Sequence, residues 1–381
     1  MPGSFIHDQV HALAEVGVDL SVVVSLWGQG SVELSPRELA RALSLLRRHL
    51  SSPRQTQWRS KSVLHLLDRR LMWSQRLPLG GIGPAVAASA RNMDRAILQM
   101  GGMDLIHAHV SYPAGYVAAQ LSERYSIPYV LTEHMSPFPF PGLMRDGKPI
   151  DEVTSAFASA TATVAVSPAL ADQIETFGYR RPIVIPNLVD EREFRLHPPH
   201  EGRFTFLSVS GMTEQKGIDD LLKAVALWDP PASAFEFLLV GDGPKLDEWK
   251  RMADGLGISD RVRWLGGVER RAVGRLFMGC NAFVLPSRHE TFGVVLAEAA
   301  ASGKPLVATR CGGPESIVNE TNGLLVDVGD VGGLADALHI VSSEWPNYDP
   351  EAIRQDCLIR FGRRPVIDRL TSLYQSVLDG F

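Results

Sequence analysis

Cysteine is scarce in this sequence: Cys280, Cys311 and Cys357 are three among 381 residues and form no Cys-x-x-Cys pair. An odd, scattered set of that kind excludes a disulfide framework and offers no zinc-site spacing; a reducing compartment fits it best. Basic charge is not in excess either. The 38 lysines and arginines are outnumbered by 43 acidic residues, leaving a formal net charge of -5, so no global positive field exists and non-specific binding of nucleic acid is not expected. No apolar run approaches the roughly 18 residues that span a bilayer, and the opening MPGSFIHDQV lacks a basic segment followed by an apolar one. The sequence therefore predicts a cytoplasmic protein with neither signal peptide nor membrane-spanning helix. Repeats of solenoid period and low-complexity tracts are lacking too.

What is present is the composition of a packed globular protein: 45% apolar and 21% charged residues, with 34 glycines and 25 prolines spread along the chain. That length suits two domains of ordinary size. Short β-branched runs, turn residues and helical periodicity alternate from end to end, which predicts an α/β fold with parallel sheets and crossover helices. Strands are expected at Val18–Ser25, Asp104–His109, Pro128–His134, Ala162–Ser167 and Ile183–Asn187 in the first half. In the second half they are expected at Phe204–Ser210, Phe235–Gly241, Val262–Gly267, Ala282–Ser287, Pro305–Cys311 and Gly323–Val326. Between them the charged, proline-broken stretch PNLVDEREFRLHPPHEGR reads as a connection. The expected division is an N-terminal Rossmann-like domain over 1–187, a linker over 188–203, a second Rossmann-like domain over 204–350, and C-terminal helices over 351–381 that pack back on the first domain. Ligand crevices of doubly wound units lie at the carboxyl ends of their strands, so two facing units would share one central cleft.

Residues 37–76 are locally basic: ten lysines and arginines stand against Glu38 and Asp68, interleaved with Leu64, Leu67, Leu71 and Trp73. Two readings stand for this stretch. A solvated helical face is the commoner outcome for such a pattern; transient contact with an anionic membrane, at its inner face, or with a lipid-phosphate acceptor is the other.

The most informative segment is HETFGVVLAEAAASGKPLVAT, from His289 to Thr309, which follows the expected strand AFVLPS. Glu290 lies in the turn leaving the strand, Thr291, Phe292 and Gly293 lead into a helix, and Glu298 lies one helical turn beyond Val294. Free N–H groups at a helix start form a phosphate site, and two carboxylates flanking them can accept hydrogen bonds from two separate sets of hydroxyls. Sugar, diphosphate and ribose could be held by this one strand-turn-helix.

The pair Glu290 and Glu298, with seven residues between, resembles the signature of retaining family 4 glycosyltransferases of the GT-B fold. The segments DLIHAHVSYPAGYVAAQLSERYSIPYVLTEH, AVSPAL, IPNLVD, QKGIDDLLKA, LLVGDGP, RVRWLGGV and CGGPESI resemble the same family in order and spacing. The resemblance implies a nucleotide-sugar donor, UDP- or GDP-linked, and a glycan or lipid-linked acceptor. It implies that Glu290 binds donor-sugar hydroxyls beside the reacting carbon, with His134 at a strand end as the second catalytic group. Lys216 and Gly217 would meet the diphosphate, Thr291, Phe292, Gly293 and Val294 would hold the donor, backbone near Val268 would contact the base, and Glu298 would bind the ribose. His109 is the acceptor-side candidate, although alternation places it on one sheet face with His107, where either histidine can equally be a buried, hydrogen-bonded core residue.

No metal or cofactor is expected, because no Asp-x-Asp pair occurs and lysine with helix N-termini can supply positive charge to a departing diphosphate. One position departs from the family: an arginine usually stands five residues before this lysine, and here it is Gly211. Glycine patterns at Gly241–Leu246 and Gly80–Ala85 are poor dinucleotide fingerprints, the first lacking its third glycine and the second following no clear strand. Two alternatives to transfer remain open: a nucleotide-sugar epimerase of similar architecture, and a binding protein with impaired catalysis. Finally, SFIHDQVHALAEVG reads as the first helix of a Rossmann-like domain. The expectation is therefore helix almost from the first residues, no strand before Val18, and a sheet lacking its central strand, as in a chain begun about 20 residues late.

Overall fold

The computed structural model describes residues 4–26, 55–60, 63–69, 82–196 and 202–380. The chain forms two compact units: one of Val10–Glu133, Gly147–Thr163 and Ser372–Phe381, the other of Met1–Gln9, His134–Asp146 and Val164–Thr371.

The first unit begins within helix α1 (Ser4–Glu15), followed by strands β1 (Ser21–Leu26), β2 (Gln55–Ser60) and β3 (Val63–Arg69). The helix is where the sequence places it, and among the described residues no strand precedes Ser21. β3 is central, parallel to β1 and antiparallel to β2, and helix α2 (Gly83–Met100) lays Ala96 on Leu64 and Leu66. A separate sheet holds β4 (Ile106–His109) beside β5 (Tyr129–Glu133) in parallel. Helix α3 (Tyr116–Tyr125) connects these strands, and α4 (Asp151–Ala158) packs on α3.

The helical reading of the basic stretch is corrected where the structure describes it: 55–60 and 63–69 are paired strands. Leu64 and Leu67 have helical spacing, yet Val63, Leu64, Leu66 and Leu67 are all buried because β3 is covered on both faces. A strand of that kind shows no polar alternation and cannot be told from a helix by period. Residues 37–54, 61–62 and 70–76 lie outside the described residues. So do Gly80 and Gly81; Gly83 and Pro84 open α2.

The second unit continues from β6 (Ala162–Ala165), across whose middle the division between units falls, through α5 (Pro168–Thr176) to β7 (Ile183–Val184). Ser167 caps α5 by accepting from the Leu170 N–H. The expected connection begins inside this unit. Leu188, Val189 and Phe194 are buried, and Val189 bridges to Gly362.

The main sheet comprises β8 (Phe204–Val209), β9 (Phe235–Val240), β10 (Val262–Gly266), β11 (Ala282–Leu285), β12 (Leu306–Thr309) and β13 (Gly323–Val326). Its spatial order is β10-β9-β8-β11-β12-β13, all parallel. Helices α6 (Ile218–Trp228), α7 (Leu246–Gly255), α8 (Arg270–Leu276), α9 (Val294–Ala301), α10 (Val331–Ser343) and α11 (Pro350–Phe361) lie between and after these strands. Near-continuous apolar strands suit a sheet covered on both faces. Phe206 and Phe237 are register partners whose rings stack 5.2 Å apart, both fully buried. Each such side chain contributes about 1.5–3 kcal/mol of burial. The last helix, α12 (Arg363–Gly380), ends in residues belonging to the first unit, where the Tyr374 hydroxyl lies 2.6 Å from His107 Nδ1. No helix among the described residues is long and apolar enough to cross a membrane.

Candidate active site

The strand order of the second unit fixes where a ligand can enter. From β8 the chain runs outward to β9 and β10, whereas from β11 it runs the other way to β12 and β13. The segments leaving the carboxyl ends of β8 and β11 therefore diverge, and doubly wound sheets bind ligands in the crevice so formed. A cavity of about 340 Å³ occupies this position. Val209–Gly211 and Lys216 line it from the β8 side, and Leu285 with Glu290–Val295 from the β11 side. His134, Glu298, Asn187, Val273 and Phe5 complete the wall.

Lys216 ends a short 3-10 turn, Glu214–Lys216, that Gly217 joins to α6. Gly217 has φ +61°, and a Cβ there would sit 2.0 Å from the Pro286 carbonyl oxygen, so the turn can rest on the end of β11 only because the residue is glycine. The approach delivers the Lys216 Nζ to within 2.6 Å of Glu290 Oε1, which also accepts from the Ser287 hydroxyl at 2.8 Å. Gly217→Ala is expected to lower stability by about 2 kcal/mol and to disorder the Lys216 contact. A melting temperature and nucleotide affinity equal to wild type would refute the close-approach argument.

The β11 side is held just as firmly. The Glu290 carbonyl accepts from the Gly313 N–H at 2.7 Å, and the Thr291 hydroxyl donates to the His134 carbonyl at 3.2 Å. Phe292 is buried with its ring edge-on to Phe361. Gly293 caps α9, whose first residues Val294 and Val295, at its positive dipole end, line the same cavity as Glu290. Glu298 is only 2% exposed and lines the same cavity. The His134 ring lies against Phe5, with centroids 4.8 Å apart.

The sequence reading missed the group that braces these elements. Gln215 Nε2 donates to the Ser136 hydroxyl and to the His289 carbonyl, each at 2.9 Å, and His289 Nδ1 lies 3.1 Å from Ser136 Oγ. Burial pushes the His289 imidazole below its ordinary pKa and Lys216 lowers it further, against the opposing pull of Glu290. Arg288 reaches Asp219, Asp220 and the Glu214 carbonyl. Burial raises the Asp219 pKa, but Arg288 and Lys223 outweigh it and hold the carboxyl below its ordinary value. The only sequence signal for this group is its adjacency to Lys216 and Glu290.

Two expected site residues lie elsewhere. Val268 follows β10, is 36% exposed and does not line the cavity. His109 belongs to the other unit, where its ring stacks on His107 at 4.4 Å and burial lowers its pKa to about 4. His107 Nε2 lies 2.7 Å from the Thr132 hydroxyl, and both histidines are half-buried. Gly211 does line the cavity, and a Cβ there would meet nothing within 4 Å. Among the described residues no group of three or more His, Cys, Asp or Glu side chains could hold a metal ion.

Comparison with known proteins agrees with the fold. The family profile described as Glycosyltransferase Family 4 matches residues 3–193, and that described as Glycosyl transferases group 1 matches residues 189–354. The uncharacterized glycosyltransferase MJ1178 of Methanocaldococcus jannaschii is 31% identical over 69% of this chain and 72% of its own length. The lipopolysaccharide core biosynthesis glycosyltransferase LpsD of Rhizobium meliloti is 33% identical, over 48% of this chain and about half, 53%, of that protein. The crystal structure of Anabaena HepE in complex with UDP-glucose superposes with a TM-score of 0.71 over 98% of this chain and 96% of HepE, at 22% identity, a likeness of fold. The chain belongs to the family 4, or group 1, glycosyltransferases, and it is a glycosyltransferase of the GT-B fold.

Proposed function

We propose that this glycosyltransferase moves a sugar from a UDP- or GDP-sugar to a hydroxyl of a glycan or lipid-linked acceptor, with retention of anomeric configuration and without a bound metal. The observation that carries the reading is the Lys216–Glu290 pair, 2.6 Å apart at the mouth of α9 in the cavity at the switch point. A diphosphate there would meet one flexible cation and the α9 amides, which together stabilise the charge that develops as the nucleotide leaves. Glu290, fixed by Lys216 and Ser287, suits a role in holding sugar hydroxyls, while Glu298 accepts from the ribose. Among the described residues lining the cavity the one other carboxylate is Glu298, which this reading gives to the ribose and not to covalent attack. In the front-face course we favour, the bond from the anomeric carbon to phosphate oxygen breaks. The acceptor oxygen bonds the same face, and its proton passes to the departing phosphate oxygen. HepE holds UDP-glucose and LpsD acts in lipopolysaccharide core biosynthesis, which supports the donor and acceptor classes.

The test starts from nucleotide binding. UDP or GDP at a hundred times its dissociation constant should add about 2.7 kcal/mol of stability. Glu298→Ala should weaken the same nucleotide about tenfold or more, as loss of a charge-assisted hydrogen bond does. With the stabilising donor and a hydroxyl acceptor, NMR should show the donor's anomeric configuration in the product. Inversion would reject the mechanism, and isomerisation of the donor without acceptor would make the protein an epimerase.

A further inference from the structure

We propose that Arg288 is the positioning residue for Lys216, locking the turn that carries the lysine to the loop that carries Glu290. The inference rests on the reading that Lys216 meets the donor diphosphate. Arg288 lies two residues before Glu290, and each of its polar ends is fixed on the lysine's own segment. Its backbone N–H donates to the Gln215 carbonyl at 2.7 Å. One guanidinium nitrogen donates to the Glu214 carbonyl at 2.7 Å, and another to Asp219 and Asp220 at 2.7 Å each. The contacts thus bracket Lys216, two on the turn before it and two on the first turn of α6 after it.

A planar fork is the chemistry this geometry needs. Arginine can serve a carbonyl and two carboxylates at once with little loss of freedom per bond, whereas an ammonium is a single point. The Asp219 and Asp220 carboxylates offset the Arg288 charge, so the guanidinium supplies position and not a second phosphate cation. That division has a purpose at this site. Lys216 is a flexible side chain, and Gly211 leaves open space within 4 Å where another side chain could have shared its task. Placement of the single ammonium then depends on its turn being rigid, and displacement by about 1 Å can cost a hundredfold.

The experiment measures the dissociation constant of UDP or GDP, whichever stabilises the wild type, for the full chain and for Lys216→Met, Arg288→Met, Arg288→Lys and the Lys216→Met/Arg288→Met double variant. Melting temperatures are recorded alongside. Arg288→Met should weaken binding about tenfold or more while the protein still melts cooperatively, and Arg288→Lys should recover part of that loss. In the Lys216→Met background the same change should add less than about twofold, because its effect travels through the lysine. An equal loss in both backgrounds overturns the proposal, as does unchanged affinity in Arg288→Met when Lys216→Met binds weakly. If Lys216→Met itself binds like wild type, the diphosphate reading falls and takes this inference with it. Should Arg288→Met not fold, Asp220→Asn tests the same brace from the other end under the same criteria.

Discussion

Glu290→Gln is expected to lower turnover about a hundredfold or more, equivalent to about 2.7 kcal/mol of transition-state stabilisation, while the protein still folds and binds nucleotide. The substitution keeps the shape of the side chain and the carbonyl that Ser287 meets, but removes the charge. In the ground state the carboxylate faces Lys216 and, on the proposed reading, would face sugar hydroxyls. As the anomeric carbon gains positive character, a negative group beside it gains in value, and the loss should fall on kcat more than on KM. Stability should fall by only about 1–2 kcal/mol, since the Lys216 ammonium left behind lines the cavity with its side chain 21% exposed and is not sealed in the core. Near-normal kcat in Glu290→Gln, measured on protein shown to be folded, would remove this residue from the chemistry.

Lys216→Ala is expected to act on both constants. The ammonium would contact the diphosphate before and during departure of the nucleotide, so its removal should raise KM about tenfold and lower kcat about a hundredfold. The variant also strips Glu290 of its partner at 2.6 Å and leaves the carboxylate held by the Ser287 hydroxyl, less firmly placed than in the wild type. Comparing Lys216→Ala with the Lys216→Ala/Glu290→Gln double variant separates these effects: strong non-additivity identifies the pair as one unit. Treating the wild type with EDTA belongs to the same experiment. A lysine-based leaving-group site should lose little activity, whereas a strict requirement for added magnesium or manganese would show that a cation does the work assigned here to Lys216.

The second unit was legible strand by strand, with starts within one residue and ends up to three residues long, because its inner strands β8, β9, β11 and β12 are largely buried and bounded by glycine, proline or polar turns. Gly323–Val326 was read to the residue. The hairpin of β2 and β3 was not legible, because a buried central strand loses the alternation that marks a strand and its leucines mimic a helical stripe. At the site, the expected residues Lys216, His134, Glu298 and the Glu290–Val294 segment are brought to one cavity, where their roles await the experiments above. Val268 was assigned through resemblance alone, and the geometry does not gather it with the rest. The Arg288 brace was illegible for a different reason. Its carboxylate partners stand 69 and 68 positions away in the chain, and only the direct pairing of β8 with β11 makes them neighbours.

That pairing also bears on how the protein matures. Lys216 and Glu290 are 74 positions apart and meet across the two central strands, with β9 and β10 in the loop between them. Contacts of such separation require the entropy of closing a long loop before they return any stability, so they form late and slowly. A chain that had condensed its local helices and β8–β10 but not docked β11 would look largely folded by circular dichroism and yet have no place for a nucleotide. Nucleotide binding is then a report on completed topology. Added during refolding, UDP or GDP would leave the early phases untouched and draw the last one toward the native state, protecting newly made protein from proteolysis in proportion to the fraction that has closed its central pair.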